Sequence, residues 1–597
     1  MSKLQVHALA LAALLLAGCS TSPQQQPVEP QAGMQAPEEA TGFTEKPGWT
    51  AQRFMVAAAN PLAVHAGYRV LKAGGSAVDA AIAVQMVLNL VEPQSSGIGG
   101  GAFMLYYDGN AVQAFDGRET APASATGALF QTPDGKPMPF YQGVVGGRSV
   151  GVPGVLRMLE LAHRQHGRLP WASLFEPAIR LAEDGFAVSP RLAALLARDR
   201  FLKRDPVAAA YFYDHDGNPW PVGHVLKNPA LARVLRDIAL HGADAFYRGP
   251  IARDIAAKVE GHPTNPGGLT TSDLAGYRAK VRKPVCSDYK EWTVCGMPPP
   301  SSGGIAIAQI LGILEVRDIS PYAPHDGALD AEGVHLFAEA GRLAYADRDR
   351  YVADTDFVPL PGGSFAPLLD KAYLARRAAL ITEKSMGKAE PGHPPGLQAA
   401  WGSDRSPEFP STSQIAIVDA QGNALSMTTT IEDAFGSRQM VDGFLLNNQL
   451  TDFSFVAADA HGPVANRVQA GKRPRSSMAP TLVFDRNTHR FVMAIGSPGG
   501  SAIINYVAKA LVGTLDWGLN LQQAISLPNF GSRNGPTELE QGRVSSALVA
   551  QLQAKGHTVR LREENSGLQG IMRVRLDGRD LLFGAADPRR EGVAEGD

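Results

Sequence analysis

Gln414-Ile-Ala-Ile-Val418 reads as a β-strand, Asp419-Ala-Gln-Gly422 as a turn and Asn423-Ala-Leu-Ser-Met-Thr-Thr-Thr430 as a returning strand. An antiparallel hairpin centred near residue 421 sets Thr430 opposite Thr412, so two hydroxyls meet across the ladder. Taken alone this is ordinary, because the branched side chain of threonine suits strands. The residues around the hairpin decide what it means.

Upstream, from about Glu383 to Ser411, Lys, Gly, Pro, Ser and charged residues replace any apolar rhythm, as in Glu390-Pro-Gly-His-Pro-Pro395. A flexible, exposed segment is expected there, with a second structural unit starting at the hairpin. The chain before it reads as helix-rich. Asn60-Pro61 is an N-cap followed by proline at the first helical position, Gly74-Gly75 stops that helix, and Ser76 caps another running to Glu92. The same pattern recurs at Pro153 to His166, Pro170 to Gly185 and Ala328 to Tyr351. No period of roughly 20 to 50 residues marks a solenoid.

The chain has 597 residues, 44% of them hydrophobic, with a formal net charge of −2. That is enough apolar material for a large core, and the weak net charge, with no basic run, argues against nucleic-acid binding. Lys3 and the apolar stretch Ala8 to Leu16 read as a secretory signal, too short to span a bilayer permanently. Leu16-Ala-Gly-Cys19 resembles a bacterial lipobox, in which residues 1–18 are removed and Cys19 is acylated; the alternative is an ordinary signal peptide with a chance cysteine. Ser20 follows in place of aspartate, so the resemblance implies a periplasmic protein anchored to the outer membrane. Residues 19 to about 50 are rich in Gln, Pro, Glu, Thr and Ser, the composition of a disordered tether. Cys286 and Cys295 flank a plausible hairpin, and in an oxidising compartment a disulfide across it is reasonable, with two free thiols as the alternative.

Eight motifs stand in order along the chain. Val91-Glu-Pro-Gln-Ser-Ser-Gly-Ile-Gly-Gly-Gly-Ala-Phe103, Asp116-Gly-Arg-Glu-Thr-Ala-Pro122, Pro298-Pro-Pro-Ser-Ser-Gly-Gly304 and Tyr345-Ala-Asp-Arg348 precede the hairpin. Leu445-Leu-Asn-Asn-Gln-Leu-Thr-Asp-Phe-Ser454, Arg473-Pro-Arg-Ser-Ser-Met478, Gly496-Ser-Pro-Gly-Gly500 and Asp587-Pro588 follow it. Each alone is a weak signal. Together they resemble the γ-glutamyltranspeptidase family over nearly all of the chain after residue 50.

The resemblance implies an α+β fold, the four-layer αββα sandwich of N-terminal-nucleophile hydrolases, built from two subunits of one precursor. It puts the cut between Ser411 and Thr412, giving a large subunit of 51–411 behind the tether and a small one of 412–597. A threonine hydroxyl needs a base within hydrogen-bond reach, and the freed amine of Thr412 can be that base, since α-amines ordinarily titrate at about pH 7.7 to 8.0. Thr430 matches the family's second threonine and would polarise the first. Gly499 and Gly500 match the oxyanion hole, two backbone amides aimed at one spot. Arg118 matches the clamp for a substrate α-carboxylate, supported by Ser476 and Ser477, while Glu432, Gln449 and Asp452 match the positions that hold the α-ammonium.

The expected partners are a small γ-glutamyl substrate and an amino-acid or dipeptide acceptor. No cofactor is called for, and the 14 histidines show no metal-binding spacing. Two departures stand out. Many family members carry asparagine where this chain has Glu432, and a longer lid than Phe455 to Gly471 allows. The chain thus looks like the lidless branch that also contains cephalosporin-acylase-like members, and a short lid lets water compete with an acceptor amine.

Other readings are weaker. Gly147-Arg-Ser-Val-Gly151 fits a G-x-S-x-G elbow, but Pro153 delays the helix that an elbow needs at once. Ser385-Met-Gly-Lys388 lacks the other motifs of a penicillin-binding protein, and Pro93 interrupts any dinucleotide loop at Gly97 to Ala102. An inactive ligand-binding lipoprotein would be expected to have lost one of Thr412, Thr430, Gly499, Gly500 or Arg118.

Overall fold

The hairpin forms in the register its turn predicts: Ser413 pairs with Thr429 and Val418 with Ala424. Asp419 closes the turn by accepting from the Gln421 and Asn423 amides, and Gly422 supplies the positive φ of 82°. The computed structural model describes residues 40–397, 401–404, 406 and 411–597. The signal stretch, Cys19 and residues 20–39 lie outside the described residues, as do 398–400, 405 and 407–410.

Side chains alternate along the hairpin strands, and each face has its own core. Ile415, Ile417, Leu425 and Met427 pack with helices Pro61–Lys72 and Ala77–Val91. Ala416, Val418 and Ala424 face a second sheet, backed by helices Gly303–Arg317, Ala331–Tyr351 and Ile503–Leu515. Burying each large aliphatic side chain contributes about 1.5 to 3 kcal/mol, which holds the register against a one-residue slip. The layers are therefore helix, sheet, sheet, helix.

Both sheets are antiparallel and seven-stranded. The first runs Val593–Gly596, Met55–Ala58, Ser413–Val418, Ala424–Thr430, Gly101–Tyr107, Val112–Gly117 and Lys280–Arg282. The second runs Trp49–Ala51, Arg579–Ala586, Gln569–Leu576, Phe491–Gly496, Thr481–Asp485, Trp292–Gly296 and Val285–Tyr289. Segments before and after residue 412 interleave in both. A polar row ties the sheets together: Ser426 Oγ donates to the Ile495 carbonyl at 2.8 Å, and Gln414 bonds Ser426 and Thr428. Thr412 and Thr430 share the parity of that row, so they project between the sheets at its end.

Several boundaries move. Asn60 and Ser76 cap their helices as expected. The later helices start further along, at Val155, Glu176 and Ala331, the last because the Asp330 side chain accepts from the Glu332 and Gly333 amides. The folded body includes the described residues from about 41, ahead of the boundary expected near 50. Thr44 N donates to the Pro588 carbonyl at 2.8 Å, and the Phe43 ring lies 3.7 Å from the Arg543 guanidinium carbon. Backbone hydrogen bonds and the contact of the exposed Phe43 ring with a cation seat this polar stretch. The described part of 383–397 has neither helix nor strand and is exposed over much of its length, as expected, but it is pinned to the body at several points rather than loose. Met386 N donates to Glu339 and Gly392 N to Asp347, both buried carboxylates of the helix Ala331–Tyr351. Cys286 and Cys295 face each other across a hairpin and form a disulfide.

Candidate active site

At the end of the inter-sheet row the Thr412 hydroxyl donates to Thr430 Oγ at 3.1 Å, and the Glu432 amide donates to the same oxygen at 2.9 Å. Arg590 holds the Thr412 carbonyl at 3.2 Å. Thr412 is 4% exposed and has a φ of 118°. For a β-branched residue this is a strained conformation, costing on the order of 1 to 3 kcal/mol. The strained torsion is about the Thr412 N–Cα bond, next to the peptide that joins it to Ser411.

A cleft opens here, and its walls include Thr412, Thr430, Arg118, Glu432, Gln449, Asp452, Ser476, Ser477 and Gly500. Gly499 sits next to Gly500 at a φ of 136°, where an added Cβ would lie 2.5 Å from the Tyr506 ring, so only glycine fits. The turn leads through Gly500–Ala502 into the helix Ile503–Leu515, whose N-terminal end favours negative charge.

The opposite wall is charged. Arg118 is fully buried and pairs with Asp452, while its Nε and Nη2 donate to the Pro474 and Arg475 carbonyls. Its Nη1 has no hydrogen-bond partner; the nearest acid is Glu119, at 3.8 Å. Burial pushes the Glu119 carboxyl up to about 8 against the pull of Arg118. Gln449 donates to Asp452 at 3.2 Å, and Arg348 holds the Ser477 hydroxyl at 2.5 Å. Ser476 Oγ accepts from the Met478 amide, which fixes the Arg473–Met478 turn.

Glu432 sits at a φ of 78° with its carboxylate hydrogen-bonded by Asn448. Burial, with Asp452 and Asp433 beside it, raises its carboxyl well above the usual range. Asparagine is the commoner residue at such a backbone angle, and Glu432 therefore keeps a strained position as well as an unfavourable charge.

Every residue expected at the site lies on this cleft or beside it. Reading the motifs missed their supports: Asn448 behind Glu432, Arg348 behind Ser477 and Arg590 behind Thr412. All three lie inside or next to quoted motifs, where a buried cation or amide without an assigned role was the available signal. The competing motifs fall elsewhere. Ser149 is buried and donates to the Val144 carbonyl, and Ser385 bonds Glu339. His335, Glu339 and His557 cluster, but the two imidazoles bond each other at 2.8 Å, and the remaining nitrogens bond Thr382 O and Thr537 Oγ1.

The model of the gamma-glutamyltranspeptidase family matches residues 63–597. A glutathione hydrolase proenzyme of Escherichia coli is 39% identical, covering 90% of this chain and 91% of its own. An acylase ACY 1 proenzyme of a Pseudomonas species is 35% identical, covering 93% and 96%. Among solved structures, a cephalosporin acylase from Bacillus halodurans superposes with a TM-score of 0.79 at 27% identity, covering 94% of this chain and 99% of that one. The sandwich is that of the N-terminal-nucleophile hydrolases. By its sequence and its fold, this chain belongs to the gamma-glutamyltranspeptidase family.

Proposed function

We propose that the protein cleaves itself between Ser411 and Thr412 and then hydrolyses or transfers γ-glutamyl groups from amides such as glutathione. The observation that carries this is one cleft holding the Thr412–Thr430 hydroxyl pair beside the buried Arg118–Asp452 pair. In the precursor, Thr412 Oγ gives up its proton and attacks the Ser411 carbonyl; the C–N bond breaks, and its nitrogen takes a proton to become the free Thr412 amine, which relieves the strain at that residue, and water then hydrolyses the ester to restore the hydroxyl and release the Ser411 carboxylate. The products are a large subunit ending at Ser411 and a small one, Thr412 to Asp597.

In the mature site the Thr412 amine takes the proton of its own hydroxyl as Oγ attacks the γ-carbonyl of the substrate. The amides of Gly499 and Gly500 stabilise the oxyanion, and the amine returns the proton to the leaving group. Water or an acceptor amine then takes the acyl group from Thr412. Arg118 receives the α-carboxylate, with Ser476 and Ser477 supporting it. Asp452, Gln449 and Glu432 receive the α-ammonium, whose charge favours the ionised form of Glu432. With the short Phe455 to Gly471 lid, hydrolysis prevails over transfer.

The full-length likeness to acylases favours a second reading, a glutaryl β-lactam acylase. A glutaryl group carries no ammonium, and would leave Glu432 and Asp452 facing an apolar chain, so the γ-glutamyl reading is preferred. Product release from glutathione, a γ-glutamyl anilide and a glutaryl β-lactam, each with and without glycylglycine, separates the two. Preferred turnover of the glutaryl compound would overturn the first reading, and transfer product dominating at millimolar acceptor would overturn the lid argument. We also propose that Cys19 is acylated and anchors the enzyme on the periplasmic face of the outer membrane. Loss of fatty-acid labelling and of membrane fractionation in Cys19→Ser tests this.

A further inference from the structure

Residues of the Val91–Phe103 motif stand behind the nucleophile, on the face of its strand that points away from substrate. Thr412 projects into the cleft, so Ser413 projects to the other side, where its hydroxyl donates to Glu92 Oε2 at 2.6 Å. The Ser96 hydroxyl donates to Ser413 Oγ at 3.2 Å. Glu92 is fully buried at the end of the helix Ala77–Val91, and Arg191, also fully buried, lies 3.8 Å from its other oxygen. On the far side of Thr412, the Ser411 hydroxyl donates to the Gln94 carbonyl at 3.3 Å. The same turn also takes the Ile431 amide on the Ser95 carbonyl, just past Thr430.

This arrangement answers a mechanical need. Once the chain is cut, Thr412 becomes a terminus, and termini fray unless tied down. The first ladder pair is Ser413 with Thr429, so the hydrogen bonds of the sheet begin only after the nucleophile. A short hydrogen bond to a buried carboxylate is the strong kind, and it acts one residue from the reacting oxygen. We propose that Glu92 is a positioning residue which, through the Ser413 hydroxyl, holds Thr412 in the geometry for self-cleavage and for acyl transfer.

The inference rests on Thr412 as the attacking group, and the two fail differently: cleavage persisting in Thr412→Ala would sink that reading, whereas this one is tested at Ser413 and Glu92. Ser413→Ala deletes one oxygen and Glu92→Gln keeps an acceptor for it. The measurements are the time course of precursor cleavage on a denaturing gel, kcat and KM of the cleaved fraction for a γ-glutamyl anilide, and thermal unfolding. In Ser413→Ala both cleavage and kcat fall by roughly tenfold, the size of a lost bond to a charged group, with KM unchanged. Glu92→Gln loses less of both. Wild-type rates in both variants, a change confined to KM, or a lowered unfolding temperature without a rate defect would each overturn the proposal.

Discussion

Thr412 and Thr430 meet across one hairpin, 18 residues apart in sequence, whereas Arg118 and Asp452 reach each other from 334 residues apart. The first wall of the cleft is neutral, made of hydroxyls and backbone on paired strands. The second is made of ionisable groups on loops, withdrawn from water. A hydroxyl pair on a ladder inherits its geometry from register, which the two apolar cores enforce. A buried ion pair has no such guarantee, because its desolvation is offset only while both partners and their supporting carbonyls stay in place. Chemistry on the first wall should therefore be lost completely by small deletions. Recognition on the second should fail by degrees and respond to pH.

The sharpest test is Thr412→Ala. It is expected to remain a single chain on a denaturing gel and to release no product from any donor; cleavage or turnover in this variant would remove the neutral wall from the mechanism. Arg118→Lys comes next. It keeps the charge but loses the planar fork, so kcat/KM for a γ-glutamyl anilide falls by about 2 kcal/mol or more while self-cleavage stays normal. Equal losses in cleavage and turnover would mean that the two walls are not separable.

A control away from both walls is Cys286→Ser combined with Cys295→Ser. Opening that hairpin is expected to reduce stability by about 2 kcal/mol, read by denaturant unfolding, with kcat and KM unchanged. The smallest effect is at Glu432. Its carboxyl is raised by burial and by Asp452 and Asp433, so the folded protein keeps a proton that the unfolded chain gives up above its ordinary carboxyl value. That stability is present at low pH and is lost as pH rises through the raised folded value. Glu432→Gln cannot ionise, so its margin of thermal stability over the wild type grows as pH rises above the ordinary carboxyl range. A constant margin would show that Glu432 is charged throughout, and that the second wall depends on ion pairing alone.

Much of the first wall is legible in the sequence. The turn at Asp419 to Gly422 and the strict alternation of the strands give the register, and register alone sets Thr412 beside Thr430. The helix caps at Asn60 and Ser76 are equally plain, because capping is decided within four residues. Phe43 and the pinned stretch Met386 to Gly392 are not, since their partners Arg543, Glu339 and Asp347 lie elsewhere in the chain.

The sequence by itself determined the family, the hairpin and which residues to look for at the cleft, because these depend on local pattern and on motifs in order. Only the tertiary structure decided that Arg118 keeps one arm unbonded, that Arg590 grips the Thr412 carbonyl, that Ser413 is anchored to Glu92 and that the Glu432 carboxyl is raised above its ordinary range. Hydrogen-bond satisfaction and protonation depend on burial and on the charges nearby, and the fold, not the local pattern, decides which groups those are.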